Sequence, residues 1–558
     1  MCDQPVIIPF MCIKSKTTQE VREAIHKIEL RADECFASLG LLGHHANVAV
    51  WSLLVGAIRV IEEQIKIYGD NCTTFDHSLI NVSRLLPVAM KWAVEHGKPA
   101  STLEHRRWTP TLDSSVAEAL GVAHHYSTFL ICFPMWHKDR HEFELISPVR
   151  VRFTTPGSPR TRQVSAYQKG FRPKEGAYKG QRAKKTDQKP MVRQLFGEVF
   201  QNCRETGPVR FVYDDPWDLW RALLPEYEAR VDAITRRDAL LSLGTYTMGD
   251  FKQFYAAFLA VCAAHEFLCS AWEHNSRAYP LDSSLLVQTR SGWITMLARL
   301  SGIAPTKCAA IIDYLTLNLS LPTSRLLDLH IQPFVRLDHS TLAVAPQFPL
   351  HSRMDENILR VCSILNPAAF DASSLEKENE MRLVLEKSSL HPIQGPIALP
   401  KATPDIDLIV SDEASSTIVI SEMKWIRKPT RPIETVNRDA DVQKGIRQLK
   451  QIYAFLADNP DHLRSQGKLP RPLNEYRNVY YMLVTRDHWL WIEPADGITI
   501  VEFDVFVAAL GKQGGLHSTM GDLLHYDWLP IEGRDFTVRF DTATVNGISI
   551  DTQAFYAH

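Results

Sequence analysis

The sequence predicts a multidomain chain, mostly α over its N-terminal two-thirds with one β-hairpin, and α/β at its C-terminal end in the order αβββαβ. Three observations carry this. At 558 residues the chain exceeds what one ordinary core holds. Apolar residues recur at three- and four-residue spacing early on, as in Trp51, Leu54, Ile58, Ile61 and Ile65. After Asn366-Pro367 the rhythm changes to short β-branched runs between helical stretches. The expected regions are a helical domain over 1–149, a basic flexible segment over 150–193, a helical domain with the hairpin over 194–366, and an α/β domain with a C-terminal extension over 367–558.

Composition narrows the class. Apolar residues make up 45% and charged residues 23%, which suits a packed protein and not a disordered or fibrous one. The net charge of −2 excludes a general polyanion binder, so nucleic-acid contact must come from locally basic surface. Ten cysteines lie scattered with no CxxC pair, and no signal-peptide layout opens the chain, which points to a reducing cytoplasm. The longest apolar run, near 48–60, is broken by Arg59 and falls short of the ~20 residues a membrane span needs, so no membrane partner is expected.

The segment 150–193 stands apart. Thirteen Lys or Arg face only Glu175 and Asp187, with Tyr167, Phe171 and Tyr178 interleaved. Such composition cannot bury enough apolar surface to order itself. Two readings follow: a solvated linker, or an arm that neutralises phosphates and orders on DNA or RNA, with Arg172, Arg182, Lys184 and Lys185 among its contacts.

Beyond it, Phe251, Phe254, Tyr255, Phe258, Leu259, Cys262 and Phe267 form a helical stripe. Two strand-like runs flank Asp338-His339-Ser340 as a hairpin, and a short helix over 356–365 ends at Asn366-Pro367. The C-terminal part opens with a Ser-capped helix over 374–388 and a weak proline-bearing strand over 392–399. Strands over 406–410 and 417–425, a helix over 439–456 and a buried strand over 478–485 come next. Residues 489–492 extend the sheet and 503–510 add a last helix.

The chemistry concentrates in TPDIDLIVSDEASSTIVISEMKW, 403–425. Residues two apart share a strand face, so Glu422 and Lys424 point together while Met423 and Trp425 point away. Asp407 lies fifteen positions before Glu422, across a turn that lets the two strands pair antiparallel. A hard Mg²⁺ (or Mn²⁺) ion takes oxygen ligands, usually one or two carboxylates plus water and phosphate. Asp407 and Glu422 can supply the carboxylates and the Met423 carbonyl a third ligand, with Lys424 beside the attacking water or the charged phosphate. An isolated Glu-x-Lys says little. An acid inside an apolar strand is costly without a partner, and that gives this one weight.

Pro404-Asp405-Ile406-Asp407 and Glu422-Met423-Lys424, over roughly 374–486, resemble the PD-(D/E)XK nuclease superfamily. The resemblance implies a restriction-endonuclease-like fold and Mg²⁺-dependent phosphodiester hydrolysis leaving a 5′-phosphate. It places the ligand aspartate at Asp407, with Asp405 as the alternative. A glutamate from the first helix is implied as well, Glu378 ahead of Glu380 because Glu378 shares the face of Met381, Val384 and Leu385. The helix after the lysine offers Gln443, Lys444, Gln448 and Tyr453. Gln448 followed by a tyrosine is similar to a pair in exonuclease-type relatives, although the spacing to Tyr453 is one residue longer here.

Other clusters carry less. Cys262, His265 and Cys269 share a helical face without a fourth ligand, which favours core packing. His44-His45 and His124-His125 diverge as helix neighbours, and there is no Walker-type phosphate loop. The expectation is therefore a metal-dependent nuclease, of DNA before RNA. Its helical region would select substrate, recruit a second copy or partner protein, or restrain cleavage, an architecture like that of bacterial anti-phage defence effectors. The alternative is a non-catalytic nucleic-acid-binding or protein-interaction module on an inherited nuclease fold.

Overall fold

A computed structural model describes the chain except residues 1–18, 69–71, 101–107, 140, 155–158, 169–189, 208–209, 235–241, 277–278, 324–327, 352–366, 401–402, 426–431, 487–496, 513 and 527. The helix expected over 356–365, the strand over 489–492, and Arg172, Arg182, Lys184 and Lys185 lie outside the described residues. The architecture is mixed α/β. Where four consecutive regions are expected, the chain instead divides into two compact units with interleaved segments. An α/β unit comprises Met1–Ala32, Thr128–Gln181 and Asp371–His558, and a helical unit comprises Asp33–Ser127 and Arg182–Phe370.

Strands β1 (Glu142–Ser147) and β2 (Arg150–Thr154) come first, then the short hairpin β3 (Arg204–Gly207) and β4 (Arg210–Val212). The helical unit also holds β5 (Leu286–Thr289), β6 (Val335–Arg336) and β7 (Thr341–Val344), an antiparallel sheet in the order β5-β7-β6. The β6–β7 turn is the expected hairpin, and the Asp338 carboxylate accepts the N–H groups of Ser340 and Thr341 within it. Through this unit runs the helix Met248–Ser276, whose Phe251, Phe254 and Phe258 are fully buried. Phe258 stacks on Phe334 at 4.8 Å, and Trp293 meets the same ring edge-on at 5.2 Å. Among the described residues this is the one helix long and apolar enough to cross a membrane, and 72% of its most apolar window is buried inside the protein.

In the α/β unit the strands are β8 (Ile393–Gln394), β9 (Leu408–Asp412), β10 (Thr417–Trp425), β11 (Asn478–Arg486), β12 (Ile498–Glu502), β13 (Phe536–Val545) and β14 (Ile548–Ala557). The first five form one mixed sheet in the order β12-β11-β10-β9-β8. β9 and β10 are antiparallel across a turn whose N–H groups at Ala414 and Ser415 are held by Asp412. β10 and β11 are parallel, so a crossover is required, and the helix Pro432–Asp458 lies between them in sequence. Ile418, Ile420 and Leu483 share a core with Val442, Ile446, Leu449 and Ile452 of that helix. On the opposite face Val419 and Met423 pack with Met381 and Leu385 of the helix Pro367–Ser388, and with Phe506 of the helix Phe503–Leu510. The sheet is thus covered on both sides, which accounts for its near-continuous apolar strands.

Several boundaries move. The first helix begins at Pro367 and not at a Ser cap near 374, because proline fits the first helical position, where its missing N–H has no partner to lose. The strand expected over 392–399 shrinks to β8, with Ile397 bridging Ile406 separately.

The basic segment also differs from expectation at its ends. Residues 150–154 are β2, with Val151 and Phe153 fully buried, and Pro159–Gln168 is a helix that sends Val164 and Tyr167 into the core beneath the sheet. Their arginines are engaged internally: Arg150 donates to Asp551, Arg162 pairs with Glu532 at 2.8 Å, and Arg160 lies over the Tyr526 ring. Paired this way, cations no longer prevent folding. β2 joins β1, β14 and β13 in a second sheet absent from the sequence expectation, with β14 running parallel to β2.

Candidate carboxylate–lysine active site

Four side chains meet where β9 begins and β10 ends. The β9–β10 register pairs Ser421 with Leu408, so its next step sets Asp407 opposite Glu422. The Met423 N–H donates to Asp407 Oδ2 at 2.7 Å, fixing that carboxylate against the strand. Two residues on, Lys424 Nζ donates to Glu422 Oε1 at 2.5 Å. Glu422 is 1% exposed, and its second oxygen, Oε2, has no hydrogen-bond partner among the described residues. Such an orphaned buried oxygen is rare and calls for an explanation.

Glu378 reaches the same place from the other side of the sheet, its Oε1 accepting the Trp425 N–H at 3.3 Å. Glu380 instead pairs with Lys377, and the Asp405 carboxylate accepts the Leu399 N–H. The structure therefore gathers Asp407, Glu422, Lys424 and Glu378, and leaves Asp405 and Glu380 with other partners.

Over the opposite mouth lies the helix Pro432–Asp458. A Cβ on Gly445 would stand 2.7 Å from Leu483 Cδ1 and 3.4 Å from Lys424 Cγ, so the helix rests directly on the lysine stem. Gln448 is three residues further along, half-buried, with Oε1 lacking a partner among the described residues. Tyr453 departs from the cluster. It is 56% exposed and meets Tyr481, four positions back along β11 from Thr485, which pairs with Lys424. The Thr485 hydroxyl is buried without a partner among the described residues. Sequence reasoning missed Thr485 and Gly445, although a glycine inside a helical pattern was itself a sign of close packing.

The electrostatics follow from burial. Burial first, then the Asp407 charge, pushes Glu422 up to about 8, with Lys424 opposing. Burial likewise raises Asp407 and Glu378. For Lys424 burial acts downward, but Glu422 and Asp407 outweigh it, so the ammonium is held firmly. Three carboxyls against Lys424, with Lys444 acting on Glu378 as well, still leave more acid than base in a poorly solvated place. A proton or a bound cation relieves it.

That chemistry fits a divalent cation. Among the described residues no three His, Cys, Asp or Glu side chains form a ready metal-binding group, so an ion here would take its protein ligands from Asp407, Glu422 and the Met423 carbonyl and complete its shell with water or substrate oxygens. In the helical unit the buried His265 hydrogen-bonds Tyr213 at 2.6 Å and sits 3.6 Å from Cys269 Sγ, an arrangement of core packing and not of metal ligation.

No family model, curated protein or solved structure matches this chain.

Proposed function

We propose that the α/β unit is a restriction-endonuclease-like core and that the protein is a metal-dependent nuclease, acting on DNA in preference to RNA. One observation carries the reading: Asp407, Glu422 and Lys424 converge at adjoining strand ends, with a buried Glu422 oxygen left over. Asp407 and Glu422 would hold Mg²⁺ or Mn²⁺, with the Met423 carbonyl beside them. The ion supplies Lewis acidity and a bound water of lowered pKa. Lys424 places its ammonium next to the carboxylates, where negative charge builds on a phosphate under attack. Glu378 steadies the end of β10 through the Trp425 N–H, and Gln448 offers an amide to water or phosphate from above. A reducing cytoplasm suits the six described cysteines, all free thiols.

The test is direct. Supercoiled plasmid, linear duplex, single-stranded DNA and RNA are incubated with Mg²⁺ and wild type, Asp407→Ala or Lys424→Ala. Cleavage should fall by at least ~10²-fold in both variants while the fold persists. Salt-sensitive binding with no cleavage of any substrate would replace this reading with a binding module on the same fold.

A further inference from the structure

The carboxylate–lysine reading leaves the helical unit without a role, yet this unit contains a cavity of about 330 Å³. Trp51, Tyr213, Trp220 and Trp293 give it flat aromatic walls, and Asp215 and Gln288 add polar groups. Trp220 is only 3% exposed, and its indole N–H has no hydrogen-bond partner among the described residues. Buried indole N–H groups ordinarily find an acceptor, so this one points to a missing occupant. Asp215 has no cation beside it among the described residues, and burial together with Asp214 raises its pKa. Burial pushes His265, also in the lining, down to about 4, so it is neutral at pH 7. No Lys or Arg occurs among the described lining residues, so that lining offers no cation to a phosphate.

We propose that this cavity binds a nucleobase, taken up as its neutral nucleoside. The volume lies at the small end of the range for small-molecule sites. A base fits the aromatic walls by its faces, while its edge alternates acceptors with donors. A ring nitrogen or carbonyl answers the Trp220 N–H, and an N–H group answers Asp215 or the Gln288 carbonyl. An organic cation is the competing occupant of an aromatic cage. Its ammonium head, the part that an aromatic cage holds, brings no acceptor for Trp220, whereas the edge of a base does, and that decides between them.

The experiment uses the full-length chain and isothermal titration calorimetry. Adenosine, guanosine, cytidine and uridine are the probes, with choline and ribose 5-phosphate as controls. At least one nucleoside should bind with Kd below ~1 mM, and neither control should. Trp220→Phe keeps a smaller aromatic face and loses the N–H, and should weaken that binding about tenfold. Asp215→Asn, at an exposed position that the fold does not need, should weaken it as well and decides the matter alone if Trp220→Phe melts early. No binding by any nucleoside, binding indifferent to Asp215→Asn, or choline bound in place of a nucleoside each overturns the proposal.

Discussion

Glu422 shows how one side chain can be legible in sequence while its environment is not. Its place two residues before Lys424 on an apolar run marked it, and strand alternation set both on one face. Nothing local revealed that it would be 1% exposed or that Glu378 would arrive from the opposite side of the sheet. Those facts come from packing among segments distant in the chain. They carry a prediction. Burial and the Asp407 charge push the folded carboxyl up to about 8, well above the ordinary glutamate range. Below that range both states are protonated and the group costs nothing. As pH climbs through that window, the folded state gives up its proton reluctantly and stability declines. Glu422→Gln removes this dependence. Urea midpoints between pH 5 and 8 should show wild type losing ground to the variant as pH rises. Added Mg²⁺ should restore wild type alone at pH 8. A constant difference between the two would contradict the buried, proton-holding carboxyl.

At the scale of elements, β10 and the helix Phe503–Leu510 match the sequence expectation, because apolar β-branched runs and helical spacing are local signals. The β13–β14 hairpin escaped notice for a physical reason. Arg539, Phe540, Asp541 and Thr542 stand exposed in succession, without the alternation of a half-buried strand, so the stretch looks like a polar extension. Yet Asn546-Gly547 sits at its turn with φ of 47° and 73°, the both-positive pattern that favours this dipeptide in two-residue hairpins. Helix-to-sheet packing gives the testable case. Gly445 is where the helix Pro432–Asp458 touches Lys424 and Leu483. Gly445→Val should lower stability by about 1–3 kcal/mol through overpacking. It should also cut any Mg²⁺-dependent cleavage by ~10²-fold, since a displacement near 1 Å at the lysine is enough. Thermal melts and turnover of the same preparation check both. Normal turnover with a lowered Tm would show that the lysine tolerates the shift.

For the whole molecule, the sequence suggested consecutive regions, whereas the α/β unit draws on three separated stretches. Long-range assembly of this kind leaves no trace in local periodicity. A fragment of residues 367–558 would lack Val164 and Tyr167, which help fill the core beside the sheet, and β2, which pairs with β14. We expect that fragment to bind a hydrophobic dye and melt without cooperativity, and the same fragment fused to 128–168 to melt cooperatively. Circular dichroism melts of the two distinguish these outcomes. The basic quartet belongs to this scale as well. Arg172, Arg182, Lys184 and Lys185 replaced by Ala should weaken nucleic-acid binding and reduce the salt slope by up to ~4 on duplex DNA. An unchanged slope would make the segment a spacer.

The threading of the chain bears on its manufacture. The helix that closes the core beside the site sheet is made before residue 170, but its partners Tyr526 and Leu529 and the strand β12 are made long after it. The acids and the lysine thus share a finished enclosure only once the chain has been made through Leu529. On the proposed nuclease reading, copies broken off before that point would carry no assembled cutting centre, and a cell making this protein would be spared damage from its unfinished products.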